Sequence, residues 1–141
     1  MIDHVSPTDW TGYLLNVVAA RLRDATAVAL SPWNLSPRDL GVLTTLASGS
    51  GLSQIALGRL IGMDRSSMVQ LADRLEAQGW IQRRPDPADR RVNLLVLSES
   101  GADRLAAAAA AARAAETACL TALSPDQIDT LRTLLRQVVT G

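Results

Sequence analysis

Residues 53–98 constrain this chain more than any other stretch, because they carry their own punctuation. A helix begins at Ser53 and is broken by Gly62. Asp64 then caps a second helix, which Gly79 closes as a C′ glycine. Trp80 to Arg84 and Val92 to Leu97 read as two strands around a turn rich in proline, aspartate and alanine. Arg83, Arg84, Arg90 and Arg91 crowd the tip of that ribbon. The order is helix, tight turn, helix, arginine-tipped hairpin.

The flanks are helical. Ser6-Pro7, Ser36-Pro37 and Ser124-Pro125 each place serine at an N-cap and proline at the first helical position. Asp9, Asp39 or Gln127 follows at the capping-box position. The first helix is expected from about Pro7 to about Leu30, with Trp10, Leu14, Val17, Val18, Ala25 and Val28 on its apolar face. The second, from Pro37 to about Ala47, should bury Leu40, Leu43 and Leu46. The third carries Ile55, Ala56 and Leu60, and the inner face of the fourth is Met68, Leu71, Ala72 and Leu75. Ser98 caps a long alanine-rich helix, and a final helix carries Ile128, Leu131, Leu134, Leu135, Val138 and Val139. The fold class is mainly α with a small β-hairpin: a winged helix-turn-helix at about 36–98, flanked by helices at about 7–30 and 99–139, within one domain spanning 1–141.

With 141 residues and 48% hydrophobic composition, the chain can bury a real core. No apolar run reaches the ~20 residues of a membrane span, and the N-terminus does not read as a signal peptide, so a cytoplasmic location is expected. Cys119 stands alone, which excludes an internal disulfide. The flanking helices are too apolar for the small winged core to cover, and a second copy of the chain is the economical partner.

Net charge is zero, yet residues 53–91 hold seven arginines against five acids, and the chain has no lysine. In a helix-turn-helix the second helix enters the major groove, where its N-terminal residues meet base edges. Here Ser66, Ser67 and Gln70 can read bases, while Arg65 and Arg74 suit phosphate. At the hairpin tip Arg90 and Arg91 supply cations for a minor groove, with Asp89 orienting an arginine. The bland alternatives are a polar helix face and a solvated hairpin laced with ion pairs. The combination points to double-stranded DNA.

Leu60-Ile61-Gly62-Met63-Asp64-Arg65-Ser66-Ser67-Met68-Val69 and Asp73 to Arg83 resemble the MarR family of bacterial transcriptional regulators. So does Asp89-Arg90-Arg91-Val92-Asn93-Leu94 with its exit through Ser98-Glu99-Ser100-Gly101. The resemblance implies a two-fold homodimer on a pseudo-palindromic operator, most simply a repressor released by a small aromatic or phenolic ligand. It implies Arg91 in the minor groove with Asp89 supporting it, Ser66, Ser67 and Gln70 in the major groove, and Ser53 and Gln54 on phosphate. Val69-Gln70 departs from the Thr-Arg found in many relatives and removes a cation.

Trp10, Tyr13, Asn16 and Arg21, with His4, could line a ligand cleft, although plain core or dimer packing is the favoured reading of Trp10 and Tyr13. Cys119 reads as a small buried hydrophobe rather than a redox sensor, since no neighbouring cation lowers its pKa. One histidine gives no metal set, no cofactor is implied, and no nucleophile and base stand at catalytic spacing. The rival functional reading is a winged helix that docks on protein without specific DNA binding.

Overall fold

The computed structural model describes residues 6–141; His4 lies outside them. Six helices and three strands follow one another as α1 (Thr11–Leu30), α2 (Pro37–Ala47), β1 (Leu52–Ser53), α3 (Gln54–Ile61), α4 (Arg65–Ala77), β2 (Ile81–Pro85), β3 (Asn93–Leu97), α5 (Glu99–Cys119) and α6 (Pro125–Thr140). The chain is mainly helical, with one small antiparallel sheet in the order β1-β3-β2.

All three serine capping boxes form. The first caps only a 3-10 turn, Pro7–Asp9, and not the long helix that the sequence suggests. Trp10 interrupts with extended backbone (φ −102°, ψ 115°), so α1 starts at Thr11. The inward face of α1 meets expectation only in part, with Val17, Val18 and Ala25 partly covered. Thr26 and Leu30 are buried, whereas Trp10, Leu14 and Val28 are exposed. α1 packs mainly along α5, whose buried residues are Gly101, Leu105, Ala108, Ala109 and Ala112. Alanine lets the two helices approach closely, which gives the Ala-rich tract a packing role as well as a helix-forming one.

The core gathers Leu30, Val42, Leu43, Leu46, Leu57, Met68, Leu75, Trp80, Ile81 and Leu95. Leu40 is only partly covered, and Val42 takes the inward place beside Leu43. In α3 the apolar residues that the sequence singles out, Ile55, Ala56 and Leu60, face out, and Leu57 with Gly58 faces in. α4 buries Met68, Leu71, Ala72 and Leu75, the four residues its periodicity named. Gly62 sits between α3 and α4 at φ +68°, a left-handed turn that glycine adopts without a Cβ penalty.

The hairpin pairs Ile81 with Leu97 through to Pro85 with Asn93. β1 was not legible in the sequence; it adds Leu52 opposite Leu95 and Ser53 opposite Leu94. Trp80 is fully buried where α4 gives way to β2, and the Arg104 guanidinium lies 4.0 Å from its ring centroid. Gly101 packs directly beneath it: a Cβ there would stand 2.1 Å from the Trp80 carbonyl oxygen. α2 and α4 are tied by Asp39, which is buried and accepts from the Ser36 N–H (2.8 Å) and from Arg74 Nη2 (2.6 Å).

Two experiments check this packing by urea unfolding. Gly101→Ala is expected to destabilise by about 2 kcal/mol or more, since backbone must move to admit the methyl. Gly41→Ala meets nothing within 4 Å in the middle of α2, and should instead stabilise by about 0.5–1 kcal/mol. Arg74→Ala, which strands a buried carboxylate, is expected to cost about 1–3 kcal/mol. Arg65→Ala on the same helix should stay within about 0.5 kcal/mol.

Candidate nucleic-acid interface

α4 turns its buried stripe inward, which leaves Ser66 and Gln70 on the opposite, exposed face. Ser67 lies to one side, and its hydroxyl is already committed. It donates to Asp64 Oδ2 at 2.6 Å while its N–H donates to Asp64 Oδ1 at 2.9 Å. Those two bonds, the hydroxyl first, hold the Asp64 carboxyl below the usual carboxylate range. Ser67 is therefore first a cap partner, with only its lone pairs left to offer outward. Arg65 is exposed and pairs with no carboxylate among the described residues. Arg74 does not match it: its guanidinium is held by Asp39, so its clearest role is to join α2 to α4.

The wing turn is built by backbone and aspartate. Asp86 N–H donates to the Val92 carbonyl at 2.8 Å, Val92 N–H donates to the Asp89 carbonyl at 2.9 Å, and Ala88 N–H donates to Asp86 Oδ1 at 2.8 Å. Arg91 leaves this turn 90% exposed. Its Nε and Nη2 donate to the two oxygens of Asp89 at 3.0 and 3.2 Å, and its own N–H donates to Oδ1 at 3.1 Å. The guanidinium bond is the main reason the Asp89 carboxyl titrates below its ordinary range. A lowered carboxylate pKa means the fork is kept at neutral pH and lost only as pH falls through that lowered value. The support of Arg91 by Asp89, expected from sequence, is thus present as geometry. Arg90 is exposed beside it without a carboxylate partner among the described residues.

Between α3, α4 and the wing root lies an open cavity of about 570 Å³. Ser53, Gln54, Arg59, Arg65 and Arg91 line it together with Ile55 and Val69. Ser53 is the N-cap of α3, accepting from the Ala56 N–H at 3.1 Å. Sequence reasoning named Arg59 only in the arginine count, because eight largely apolar residues left the outer face of α3 undefined. It also passed over Arg83, which proves to be a hub. Arg83 donates to Asp73 (2.5 Å), to Glu76, and through Nε and Nη2 to Gln54 Oε1 (3.3 and 3.2 Å). Its backbone N–H also donates to Glu76 at 3.1 Å. Burial disfavours this guanidinium, but the bonds to Asp73 and Glu76 more than offset the loss and raise its pKa.

Trp10, Tyr13, Asn16 and Arg21 lie on exposed parts of α1 and its approach, and they line neither this cavity nor the second one, beside Asp39 and Arg74. Cys119, the last residue of α5, is exposed rather than buried, with its sulfur 4.0 Å from the Arg21 carbonyl of α1. Among the described residues no helix is long and apolar enough to cross a membrane, and no cluster of histidine, cysteine and acids could hold a metal.

Residues 33–92 match the family model described as MarR family. The multiple antibiotic resistance protein MarR of Escherichia coli is 26% identical over 91 residues, 64% of this chain and 63% of that protein; the match spans less than two thirds of its length. A probable transcriptional regulator from Pseudomonas aeruginosa is 32% identical, with 94% of this chain and 99% of that one superposed at a TM-score of 0.81. The transcriptional repressor CouR, solved bound to a 23-mer DNA duplex, is 28% identical with 94% of both chains covered and a TM-score of 0.83. CouR from Rhodococcus jostii RHA1 has also been solved with p-coumaroyl-CoA, at 29% identity, 94% coverage of both chains and a TM-score of 0.80. With an outward polar face on α4, an aspartate-braced arginine on the wing and these matches, the chain belongs to the MarR family of transcriptional regulators.

Proposed function

We propose that this chain binds double-stranded DNA as a homodimer, with α4 in the major groove and the β2–β3 wing in the adjacent minor groove. The observation that carries the reading is the placement of Arg91: it is almost wholly exposed, yet held in one orientation by Asp89. A solvated surface arginine gains little from a single orientation, whereas an arginine entering a narrow groove gains from having its entropy cost met beforehand. Ser66 and Gln70 read base edges, Ser67 accepts through its hydroxyl oxygen, and Ser53, Gln54, Arg65 and Arg90 meet the sugar-phosphate backbone. Arg59 joins that set from the cavity wall. The capture of CouR on a DNA duplex supports the assignment by likeness.

The dimer rests on α1, α5 and α6 as the assembly part and residues 36–98 as the DNA-binding part of a single domain. α6 buries only Ile128, leaving Val138 and Val139 at 82% and 84% exposed. Two-fold symmetry then sets two α4 helices on half-sites one helical turn, ~34–36 Å, apart in a pseudo-palindromic operator. The regulator acts as a repressor that a small aromatic or phenolic ligand releases from DNA. The p-coumaroyl-CoA complex of CouR supports a ligand of that chemistry. Trp10, Tyr13, Asn16 and Arg21, open in one protomer, would line a cleft once the second protomer adds its wall.

Binding to duplexes selected from random DNA tests the reading. Arg91→Ala should weaken affinity about tenfold or more with the dimer intact; unchanged affinity would remove the wing assignment. Asp89→Asn should weaken it less, since the cation remains but loses its brace. Log affinity should fall steeply with log salt, by about 0.9 per phosphate neutralised. A nearly flat response would favour a protein partner instead. Gln70→Ala should relax sequence preference more than it lowers affinity, and a uniform loss across sequences would contradict base reading.

A further inference from the structure

The Arg83 side chain is mostly covered, with 23% of it exposed, and it reaches the interface through Gln54. Gln54 is the first residue of α3 and lines the 570 Å³ cavity that also holds Arg59, Arg65 and Arg91. A glutamine amide can present either its oxygen or its NH2 to a ligand, and the two ends have opposite effects on an anion. Here the oxygen is occupied: Arg83 Nε and Nη2 both donate to Gln54 Oε1. Since arginine has donors only, the bond is possible in one orientation of the amide alone, with Nε2 turned away from Arg83.

We propose that Arg83 is a positioning residue that locks Gln54 with its NH2 group toward a backbone phosphate in this cavity, and that Asp73 and Glu76 of α4 hold Arg83 in place for that purpose. The proposal rests on the DNA-binding reading above and deepens it. Asp73 accepts from the same Nη2 that donates to Gln54, while Glu76 accepts from Nη1 and from the Arg83 N–H, so the wing strand is tied to α4. The same bonds offset one of the two carboxylate charges that would otherwise repel phosphate beside the major groove. The series from Asp73 and Glu76 through Arg83 to Gln54 thus registers the phosphate contact against α4.

A double-mutant cycle on a duplex recovered from random DNA by the native protein tests this. Gln54→Ala removes the donor and should weaken binding about fivefold. Arg83→Lys keeps one charge near Asp73 and Glu76 but cannot also fork Gln54 Oε1, and should give a similar loss at an unchanged melting temperature. The double variant should be no weaker than either single one, because both remove the same contact. Gln54→Glu offers a check that does not depend on tolerance at residue 83. Its carboxylate should hold Arg83 firmly, so the fold is kept while binding falls further than with alanine. Losses that multiply in the double variant, or a Gln54→Glu protein that binds like the native one, would overturn the proposal and leave the DNA reading standing. Absence of salt-sensitive binding by the native protein would overturn both.

Discussion

The structure depends on the burial of Trp80. This side chain occupies the one point where the recognition helix, the wing and the long α5 helix meet, and it is fully covered there. Its carbonyl accepts the Ser98 N–H at 3.0 Å, and the Ser98 hydroxyl donates to the Gly79 carbonyl at 2.6 Å. Gly101 allows α5 to lie against the same peptide, and Arg104 covers the ring with its guanidinium while donating to the Gln78 carbonyl at 3.2 Å. The exit of α4, the start of β2 and the start of α5 are therefore one packed seam. A displacement of α5 would press on α4 through these shared contacts. That gives a physical route between the helices proposed to hold the dimer and the helix proposed to read DNA.

Electrostatics at the interface are governed by pairing rather than by the charge total. The local excess of arginines is only two by count. Arg74 and Arg83 are spent inside the fold, on Asp39 and on Asp73 with Glu76. Asp64 is spent on capping α4, and Asp86 on the wing turn. The arginines of this stretch left without a carboxylate partner among the described residues are Arg59, Arg65, Arg84 and Arg90, and Arg91 stands outward on its brace. Neutral proteins can thus present a positive face when their acids are used as structural ligands and their cations are not.

Much of this was legible from residues alone, and the failures have physical causes. Capping signals are local, so Ser36, Ser53, Asp64, Ser98 and Ser124 marked helix starts correctly. The inward face of α4 was legible because thirteen residues give its periodicity room to show. α3 has eight, and Ile55, Ala56, Leu57, Leu60 and Ile61 are all apolar, so its phase was undetermined until β1 and α4 packed against Leu57 and Gly58. Trp10 broke α1 although its serine cap was correct, because a cap specifies where a turn begins and not how far it continues. Arg83 was invisible as a hub because its partners lie 7, 10 and 29 residues away, a tertiary arrangement that no local pattern encodes.

The outward apolar surface of α6 bears on how tightly two protomers would hold. An isolated amphipathic helix of 16 residues is only marginally stable in water, and α6 anchors to its own chain chiefly through Ile128. Leu134, Leu135, Val138 and Val139 remain exposed along it, and Trp10, Tyr13, Leu14 and Leu15 remain exposed at the start of α1. Full burial of such side chains stabilises by roughly 1.5–3 kcal/mol each. Two-fold pairing counts every one twice, so even partial burial of these side chains offsets the ~4–15 kcal/mol that association costs. Folding of α6 and dimerisation are on this reading one event, since the helix lacks enough of its own core to form first. A ligand that wedged between α1 and the partner would act on that coupled equilibrium, and the Trp80 seam would carry the change to α4 without any contact between ligand and DNA.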